Sequence, residues 1–308
     1  MSLDPKQLEA FAATVQTGTL AAAAKQLRLT LAAVSIRIKA LEAQLGQRLL
    51  VRGKTAQATR AGQVLLAHIS RTRLLEADLA ERLSSPQDDA QWLALPVAVN
   101  ADSLASWFLN GVQATLHQHR LLLHSVVDDQ ERTLQWLQNG DVLGCVTELP
   151  KPLRGCMAQP LGTMRYHCLG SPAIAKHLRS LKRKSQAPAL LQIPALCFNA
   201  KDHLQDRFLA EAFDLREASY PRHYFPAGDA YHLAMVQGLG WGLQADVQMR
   251  LQWRGEMEAG RLVDLFPGQF VDVPLYWHHW SQESAQAARL TAAVIEAAKL
   301  HLLQDKSA

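Results

Sequence analysis

The sequence predicts an α plus α/β protein, with a helical N-terminal domain that carries a small β-hairpin, a long linker helix, and a two-lobed α/β domain in the rest of its 308 residues. Three observations support this fold class. Apolar residues recur at helical spacing up to about residue 82, and short β-rich runs alternate with helical segments from about residue 92. A polar break at 84–89 separates the two patterns. We therefore expect domains at 1–62 and 91–308, joined by a linker helix and hinge at 63–90.

The composition is that of an ordinary globular protein, with 48% hydrophobic and 19% charged residues. No apolar run approaches the ~18–20 residues that span a bilayer, and the N-terminus has no basic and apolar signal segment. We therefore expect a cytoplasmic protein with no membrane partner. The cysteine spacings match no metal or redox motif, so we expect buried reduced thiols and neither a metal nor a cofactor. The cysteines are Cys145, Cys156, Cys168 and Cys197.

Three short helices are predicted in the N-terminal domain. The first spans about 6–16, Thr19 can cap the second, and Thr30 can cap the third, which spans 31–45 and ends at Gly46. Two helices joined by a tight turn, the second of them basic, are typical of a helix-turn-helix, although any three-helix domain can show the same periodicity. The third helix has an expected buried stripe of Val34, Ile38, Leu41 and Leu45.

The segment that follows the third helix favours the helix-turn-helix. Residues 49–51 and 57–59 can form a hairpin wing with Arg52 and Lys54 at its tip. The first 65 residues hold nine Lys and Arg against three Asp and Glu, a charge of +6, which leaves −2 for the rest because the total is +4. A basic end on a slightly acidic body indicates an anionic polymer as partner at that end only, and for a helix-turn-helix that polymer is double-stranded DNA. A long helix, 60–82, then offers an apolar stripe for pairing with a second copy.

From about residue 92 the alternation predicts a parallel sheet of βαβ units. Strands are expected at 93–99, 121–127, 143–147, 165–170, 194–199, 222–226, 240–244 and 275–280. Helices are expected at 102–118, 131–139, 172–180, 203–213, 229–238, 246–259 and 284–303. Two sets of alternating elements indicate two lobes around one cleft, with lobe I at about 91–162 and 268–308 and lobe II at about 163–267.

Two stretches of the N-terminal domain resemble the signature of LysR-type transcriptional regulators. They are residues 33–52, AVSIRIKALEAQLGQRLLVR, and residues 59–62, TRAG. In the α/β domain, 98–107 and 275–278 look like the branch of that family that responds to arginine and lysine. The resemblance implies a winged helix-turn-helix, an effector domain like that of periplasmic binding proteins, and dimers that pair into tetramers. It also implies a transcription factor that binds promoter DNA and responds to a basic amino acid, lysine or arginine.

The resemblance further implies which residues face DNA, and two positions depart from the family pattern. The family usually has glutamine at the position of Leu31 and a polar residue at that of Ile36, so fewer hydrogen bonds to base edges are expected. Apolar contact with thymine methyl groups can replace part of this recognition, which predicts T-rich half-sites and dependence on DNA shape. Any one basic residue alone is better explained by a solvated helix face, but seven Lys and Arg against Glu42 alone over residues 28–60 favour DNA. The expected DNA-binding residues are Thr30, Leu31, Ala32, Ser35, Ile36, Arg37, Lys39, Arg52 and Lys54.

Ligands of two-lobed α/β folds bind at the carboxyl ends of strands and at helix N-termini. The segment after the first strand of the α/β domain contains Asn100, Asp102 and Ser103. Ser103 and the free backbone N–H groups there can hold an α-carboxylate. The alternative is that Asp102 or Ser103 only caps the helix. A basic amino acid also needs an acidic end to its site. For each acidic candidate a surface carboxylate is the commoner explanation, and strand-end position favours Glu148 and Asp129. The acidic candidates are Asp129, Glu148, Asp202 and Asp229.

An enzyme is not expected. The sequence lacks Gly-x-Ser-x-Gly, His-Glu-x-x-His and phosphate-loop motifs. The glycine-rich segment at 238–242 follows a helix, which is the wrong order for a dinucleotide site. One alternative stays open, an architectural or replication-initiation-inhibiting DNA-binding protein without effector control. A shift in melting temperature with lysine or arginine would separate a regulator from that alternative.

Overall fold

The computed structural model describes residues 3–304, apart from 52, 54, 84–91, 128 and 129. In the N-terminal domain, three short helices precede a two-stranded hairpin and a long helix. These elements are α1 (Pro5–Thr17), α2 (Leu20–Leu27), α3 (Leu31–Leu45), β1 (Leu50–Val51), β2 (Gln57–Ala58) and α4 (Arg60–Leu83). Their order confirms the predicted helix-turn-helix with a hairpin wing and a long helix after it.

Local capping fixes the starts of α2 and α3 and the end of α3. Thr19 Oγ1 accepts a hydrogen bond from Ala22 N at 3.1 Å, and Thr30 Oγ1 accepts one from Ala33 N at 3.1 Å. Gly46 ends α3 in the left-handed region at φ 66°, where a residue without a Cβ is favoured. Both predicted caps and the predicted end of α3 are confirmed.

An apolar core holds the three short helices together. Phe11 is fully buried, and burying a side chain of this kind contributes about 1.5–3 kcal/mol. Packing against this core therefore decides which face of α3 turns outward. The other buried members of the cluster are Ala10, Ala12, Ala13, Ala23, Ala24, Val34, Ile38, Leu41, Leu49, Leu65 and Ile69.

The α/β domain alternates strands and helices. Its first part contains β3 (Leu93–Ala98), α5 (Ala101–Ser103), a π-helical turn (Leu104–Phe108), α6 (Leu109–Gln118), β4 (Leu121–Val126), α7 (Gln130–Asn139), β5 (Gly144–Thr147) and β6 (Cys156–Gly170). Next come α8 (Pro172–Arg179), α9 (Arg183–Leu190), β7 (Ala195–Cys197), α10 (Leu204–Phe213), β8 (Arg222–Tyr224), α11 (Gly228–Val236) and β9 (Gly242–Ala245). The last elements are α12 (Asp246–Leu251), α13 (Arg254–Glu258), β10 (Val263–Asp264), β11 (Phe270–Trp280) and α14 (Ala285–His301).

The main sheet is mixed, which corrects the prediction of a parallel one. Strand β3 pairs in parallel with β4 and β5, whereas β11 pairs antiparallel with β5 and β6. Strands β9 and β10 also pair antiparallel with β6, and β7 and β8 form a separate parallel pair. The sequence pattern predicts only the C-terminal parts of β6 and β11, because Pro160, Gly162 and Pro274 are untypical of strand interiors.

Two predicted helices are interrupted. The helix expected at 102–118 contains the π-helical turn, and the one expected at 246–259 is divided into α12 and α13, with Gln252 and Trp253 between them. Helix α9 was not expected, because Pro188 lies inside it and proline is untypical of helix interiors.

The long helix α4 packs against the α/β domain of the same chain. Ala67 of α4 is 3% exposed and belongs to an apolar cluster with Leu137, Val142 and Trp280. Gly140, which follows α7, comes so close that a Cβ built on it would lie 2.2 Å from Ala67 Cα. The helix that carries the N-terminal domain is thus fixed to the α/β domain at this contact.

All four cysteines are buried, and none of them forms a disulfide in the described part of the chain. Burial raises the pKa of the Cys197 thiol to about 12, and it also raises the pKa of the Cys145 and Cys168 thiols. Over the described ranges, no helix has both the length and the apolar character that crossing a membrane requires.

Candidate nucleic-acid interface and ligand cavity

One face of α3 lies open to solvent, and it is the face predicted for DNA. Leu31 and Ile36 are 54% and 65% exposed, so this face presents two large apolar side chains to solvent. Ala32 and Lys39 are exposed, whereas Ser35, beside them, is half-buried. The predicted stripe on the opposite face is buried, except that Leu45 is only partly so.

The remaining DNA candidates are near this face or outside the described residues. Thr30 is exposed at the start of α3, and its hydroxyl caps the helix. Arg37 is half-buried on α3. Arg52 and Lys54, expected at the tip of the wing, lie outside the described residues.

A glutamate that the sequence did not single out fixes the wing to α3. Glu42 Oε1 accepts a hydrogen bond from Leu49 N at 2.7 Å. Thr59 Oγ1 donates to the carbonyl of Arg48 at 2.7 Å, and a Cβ built on Gly62 would lie 2.3 Å from the carbonyl oxygen of Leu49. The hairpin is therefore held in a set orientation beside the exposed face. One feature of the sequence pointed to this contact: all these residues lie in segments 33–52 and 59–62, which resemble the LysR-type signature.

The α/β domain contains a cavity of about 820 Å³, which is within the range of small-molecule sites. Four of the predicted effector residues line it, from the turn after β3, the end of β5 and the loop before α10. These four are Asn100, Asp102, Glu148 and Asp202.

The other three predicted effector residues do not line the cavity in the described structure. Ser103 is fully buried, and its hydroxyl has no hydrogen-bond partner among the described residues. Asp229 lies in the first turn of α11, one residue beyond the lining residue Gly228. Asp129 lies outside the described residues.

The three carboxylates in the wall have different surroundings. Asp202 accepts hydrogen bonds from Phe198 N at 2.8 Å and Leu204 N at 3.1 Å, and these bonds stabilise the loop before α10. Glu148 Oε2 lies 3.6 Å from Arg207 Nη1.

Asp102 is the third carboxylate of the wall, and it is half-buried. Its Oδ2 accepts the hydroxyl of Tyr166 at 2.9 Å. Burial raises the pKa of Asp102, the hydrogen bond from Tyr166 opposes that rise, and the negative charge of Asp202 adds to it.

Several residues that line the cavity were not predicted from the sequence. Arg207 lines the cavity from α10 and also pairs with Glu211 at 2.8 Å. Lys201 and Tyr166 lie in the wall, and Trp253 closes it from the turn between α12 and α13. No residue type or spacing distinguished them, because their position depends on how β6 and the loop before α10 fold together.

Comparisons with known proteins identify the family of this chain. Residues 5–63 match the family model described as bacterial regulatory helix-turn-helix protein, lysR family. The HTH-type transcriptional regulator ArgP of Pseudomonas aeruginosa is 40% identical over 94% of this chain and 93% of its own. ArgP of Vibrio cholerae is 32% identical over 98% of this chain and 99% of its own.

Two solved structures are similar over nearly the whole chain. The crystal structure of ArgP from Mycobacterium tuberculosis has a TM-score of 0.85 at 35% identity, and covers 99% of this chain and 100% of that one. Full-length LysG from Corynebacterium glutamicum, solved with bound effector Arg, has a TM-score of 0.77 at 32% identity over 97% of this chain and 99% of its own.

The chain therefore belongs to the LysR family of bacterial helix-turn-helix regulators, and it is a transcriptional regulator. Its similarity along the whole sequence is to the members named ArgP, so it lies in the ArgP branch of that family.

Proposed function

We propose that this regulator binds promoter DNA through the exposed face of α3 and the hairpin beside it, and that arginine or lysine in the cavity changes that binding. The charge of the cavity wall carries the effector part of the proposal. Asp102, Glu148 and Asp202 lie there with Lys201 and Arg207. With a ligand bound and all five ionised, the wall has one negative charge that its own cations do not balance. Arginine and lysine carry one net positive charge at neutral pH.

Two further observations support a basic amino acid as the effector that binds in the cavity. LysG of Corynebacterium glutamicum, a relative in the same family, was solved with bound effector Arg. The wall also contains the indole of Trp253, and an aromatic face is a suitable surface for an aliphatic side chain that ends in a cation. In this arrangement Glu148 binds the side-chain cation, and the turn at Asn100 receives the α-carboxylate.

We also propose that the protein acts in the cytoplasm, where bacterial DNA lies, and as a dimer or tetramer. One helix-turn-helix contacts only a few base pairs, so useful specificity needs two of them. Along α4, one face presents Val64, Leu75 and Leu79, all more than half exposed. An exposed apolar stripe of this kind is suited to pairing with α4 of a second copy.

The effector proposal predicts a rise in the melting temperature of the full chain with arginine or lysine. Citrulline, which has the shape of arginine without its side-chain charge, should give a much smaller rise. Glu148→Gln should weaken arginine binding on the order of 30-fold, because a partly buried charge pair loses one member. Isothermal titration calorimetry measures this change.

Glu211→Gln is the matched control for Glu148→Gln. Glu211 also pairs with Arg207, but it is not among the residues that line the cavity, so the affinity for arginine should stay within about twofold of the wild type. A melting temperature that neither basic amino acid changes would contradict effector control and favour an architectural DNA-binding protein.

The exposed apolar side chains on α3 predict a dependence on thymine methyl groups. Replacing thymine by uracil throughout both half-sites should weaken binding by about 10-fold, because Leu31 and Ile36 would lose their apolar contacts. Fluorescence anisotropy with paired DNA duplexes measures the ratio. The double variant Leu31→Gln, Ile36→Gln should bind both duplexes with similar affinity. Equal affinity of the wild type for the two duplexes would exclude methyl recognition.

A further inference from the structure

Asp102 differs from the other two carboxylates in the cavity wall. Asp202 receives two backbone N–H groups, and Glu148 lies beside Arg207. Among the described residues, Asp102 receives the hydroxyl of Tyr166 and forms no ion pair with a basic side chain. A half-buried carboxylate without a counter-charge is destabilised in its ionised form, and a cation supplied by a ligand would stabilise that form.

A second feature of the wall also indicates a ligand with several N–H donors. Gln205 and Gln244 line the cavity and are 1% and 3% exposed. Each amide nitrogen has an acceptor, the carbonyl of Leu196 for Gln205 and the side chain of Gln248 for Gln244. Each amide oxygen has no hydrogen-bond partner among the described residues. Buried acceptors without donors are rare in folded proteins, so a bound donor is expected here.

We propose that Asp102 binds the α-ammonium group of the amino-acid effector and releases a proton to solvent when the effector binds. This inference rests on the proposed function, in which Glu148 binds the side-chain cation and the turn at Asn100 receives the α-carboxylate. The α-ammonium and the α-carboxylate are bonded to the same carbon, so a carboxylate at this turn brings the ammonium to Asp102. The two cationic groups of the effector thus have separate carboxylate partners.

The groups that face Asp102 explain why a proton is involved. Three groups are close enough to Asp102 to affect its ionisation or to be affected by its charge: Tyr166 from β6, Tyr231 from α11 and Asp202 from the loop before α10. None of the three is a cation. Glu148 adds negative charge near Tyr166. Burial holds the pKa of Asp102 above its ordinary value, which favours the neutral acid when the cavity is free of ligand.

The sign of the pH dependence follows from this shift. The effector ammonium pairs with the ionised carboxylate, so a neutral Asp102 must lose its proton before the pair forms. The affinity for arginine should therefore rise as the pH rises through the pKa of Asp102 in the free protein, and then stay constant until the α-ammonium of arginine itself loses its proton.

The test combines a protein variant with a ligand variant. Calorimetry of the full chain compares arginine with 5-guanidinopentanoate, which is arginine without its α-amino group. Asp102→Asn keeps an acceptor for Tyr166 and should lower arginine affinity on the order of 100-fold, while affinity for 5-guanidinopentanoate stays within about twofold. Titrations in two buffers of different ionisation enthalpy should show proton release for arginine with the wild type and none with Asp102→Asn.

The control variant is Asp214→Asn, at an exposed carboxylate outside the cavity wall where asparagine also accepts the left-handed backbone (φ 55°). It should bind both ligands as the wild type does. The inference is wrong if Asp102→Asn lowers the affinity for both ligands equally or for neither. It is also wrong if the wild type releases the same proton with 5-guanidinopentanoate as with arginine. In those outcomes the wild type still binds arginine, and the proposed function stands. Wild-type protein that binds no arginine overturns both.

Discussion

Gly140→Ala should destabilise the protein by about 2–4 kcal/mol and loosen α4 from the α/β domain. Gly140 has a left-handed backbone (φ 77°), and an added Cβ would lie 2.2 Å from Ala67 Cα and 2.9 Å from Ala67 Cβ. A left-handed alanine costs about 1 kcal/mol or more, and overpacking a tight contact adds about 1–3 kcal/mol. Urea unfolding of the two proteins measures the difference.

Gly46→Ala separates these two contributions. Gly46 is also left-handed (φ 66°), but a Cβ built on it would have nothing within 4 Å. It should therefore show only the backbone cost, about 1 kcal/mol. Equal losses of stability in the two variants would mean that the contact between Gly140 and Ala67 is not tight in solution.

DNA affinity should fall steeply with salt, on the order of 10³-fold between 50 and 200 mM, because each phosphate contact releases counterions. Exposed Lys39 lies on the outward face of α3, and Arg60 begins α4. Lys39→Gln should reduce the slope of log affinity against log salt by about 1 and weaken binding to all sequences similarly. Filter binding at five salt concentrations measures the slope.

A lysine at the far end of the chain is the control for this experiment. Lys299, in the last turn of α14, already pairs with Glu296 at 2.7 Å. Lys299→Gln should leave the slope unchanged. A wild-type slope near zero would mean that the basic charge of the N-terminal domain does not meet phosphates.

The N-terminal domain was predictable almost residue by residue because its boundaries are set locally. Thr19 and Thr30 cap helices through their own side chains, and Gly46 ends α3 through its own backbone freedom. Such signals act within one helical turn, so they can be recognised without knowledge of the tertiary structure. The side of α3 that is buried followed in the same way from its apolar spacing.

The sheet could be predicted only in part, since strand pairing is a long-range property. Each of β6 and β11 contains a proline, and they are held in place by pairing with each other from Phe270↔His167 to Trp280↔Cys156. Local preference speaks against these segments, and the neighbouring strand overrides it. The π-helical turn at Leu104–Phe108 likewise has no local signal in the sequence.

The residues that line the cavity were also predictable only where the signal is local in the sequence. Strand-end position predicted Asp102, Glu148 and Asp202, because strand ends are where cavities of this fold lie. Ser103 was predicted by the same rule, but one residue further along a helix rotates a side chain by about 100°, and its hydroxyl is buried. Tyr166 depends on the fold of the middle of β6, which the sequence did not predict.

The buried cysteines make this regulator convenient for spectroscopy. The thiolate is the form that attacks maleimides and peroxides, and burial raises the pKa of Cys145, Cys168 and Cys197. Cys156 is buried as well. A single cysteine introduced at an exposed position on α3 or the hairpin can therefore carry a fluorophore without removal of the native ones. Energy transfer between two such labels in an oligomer would then report the distance between its DNA-binding helices as arginine is added.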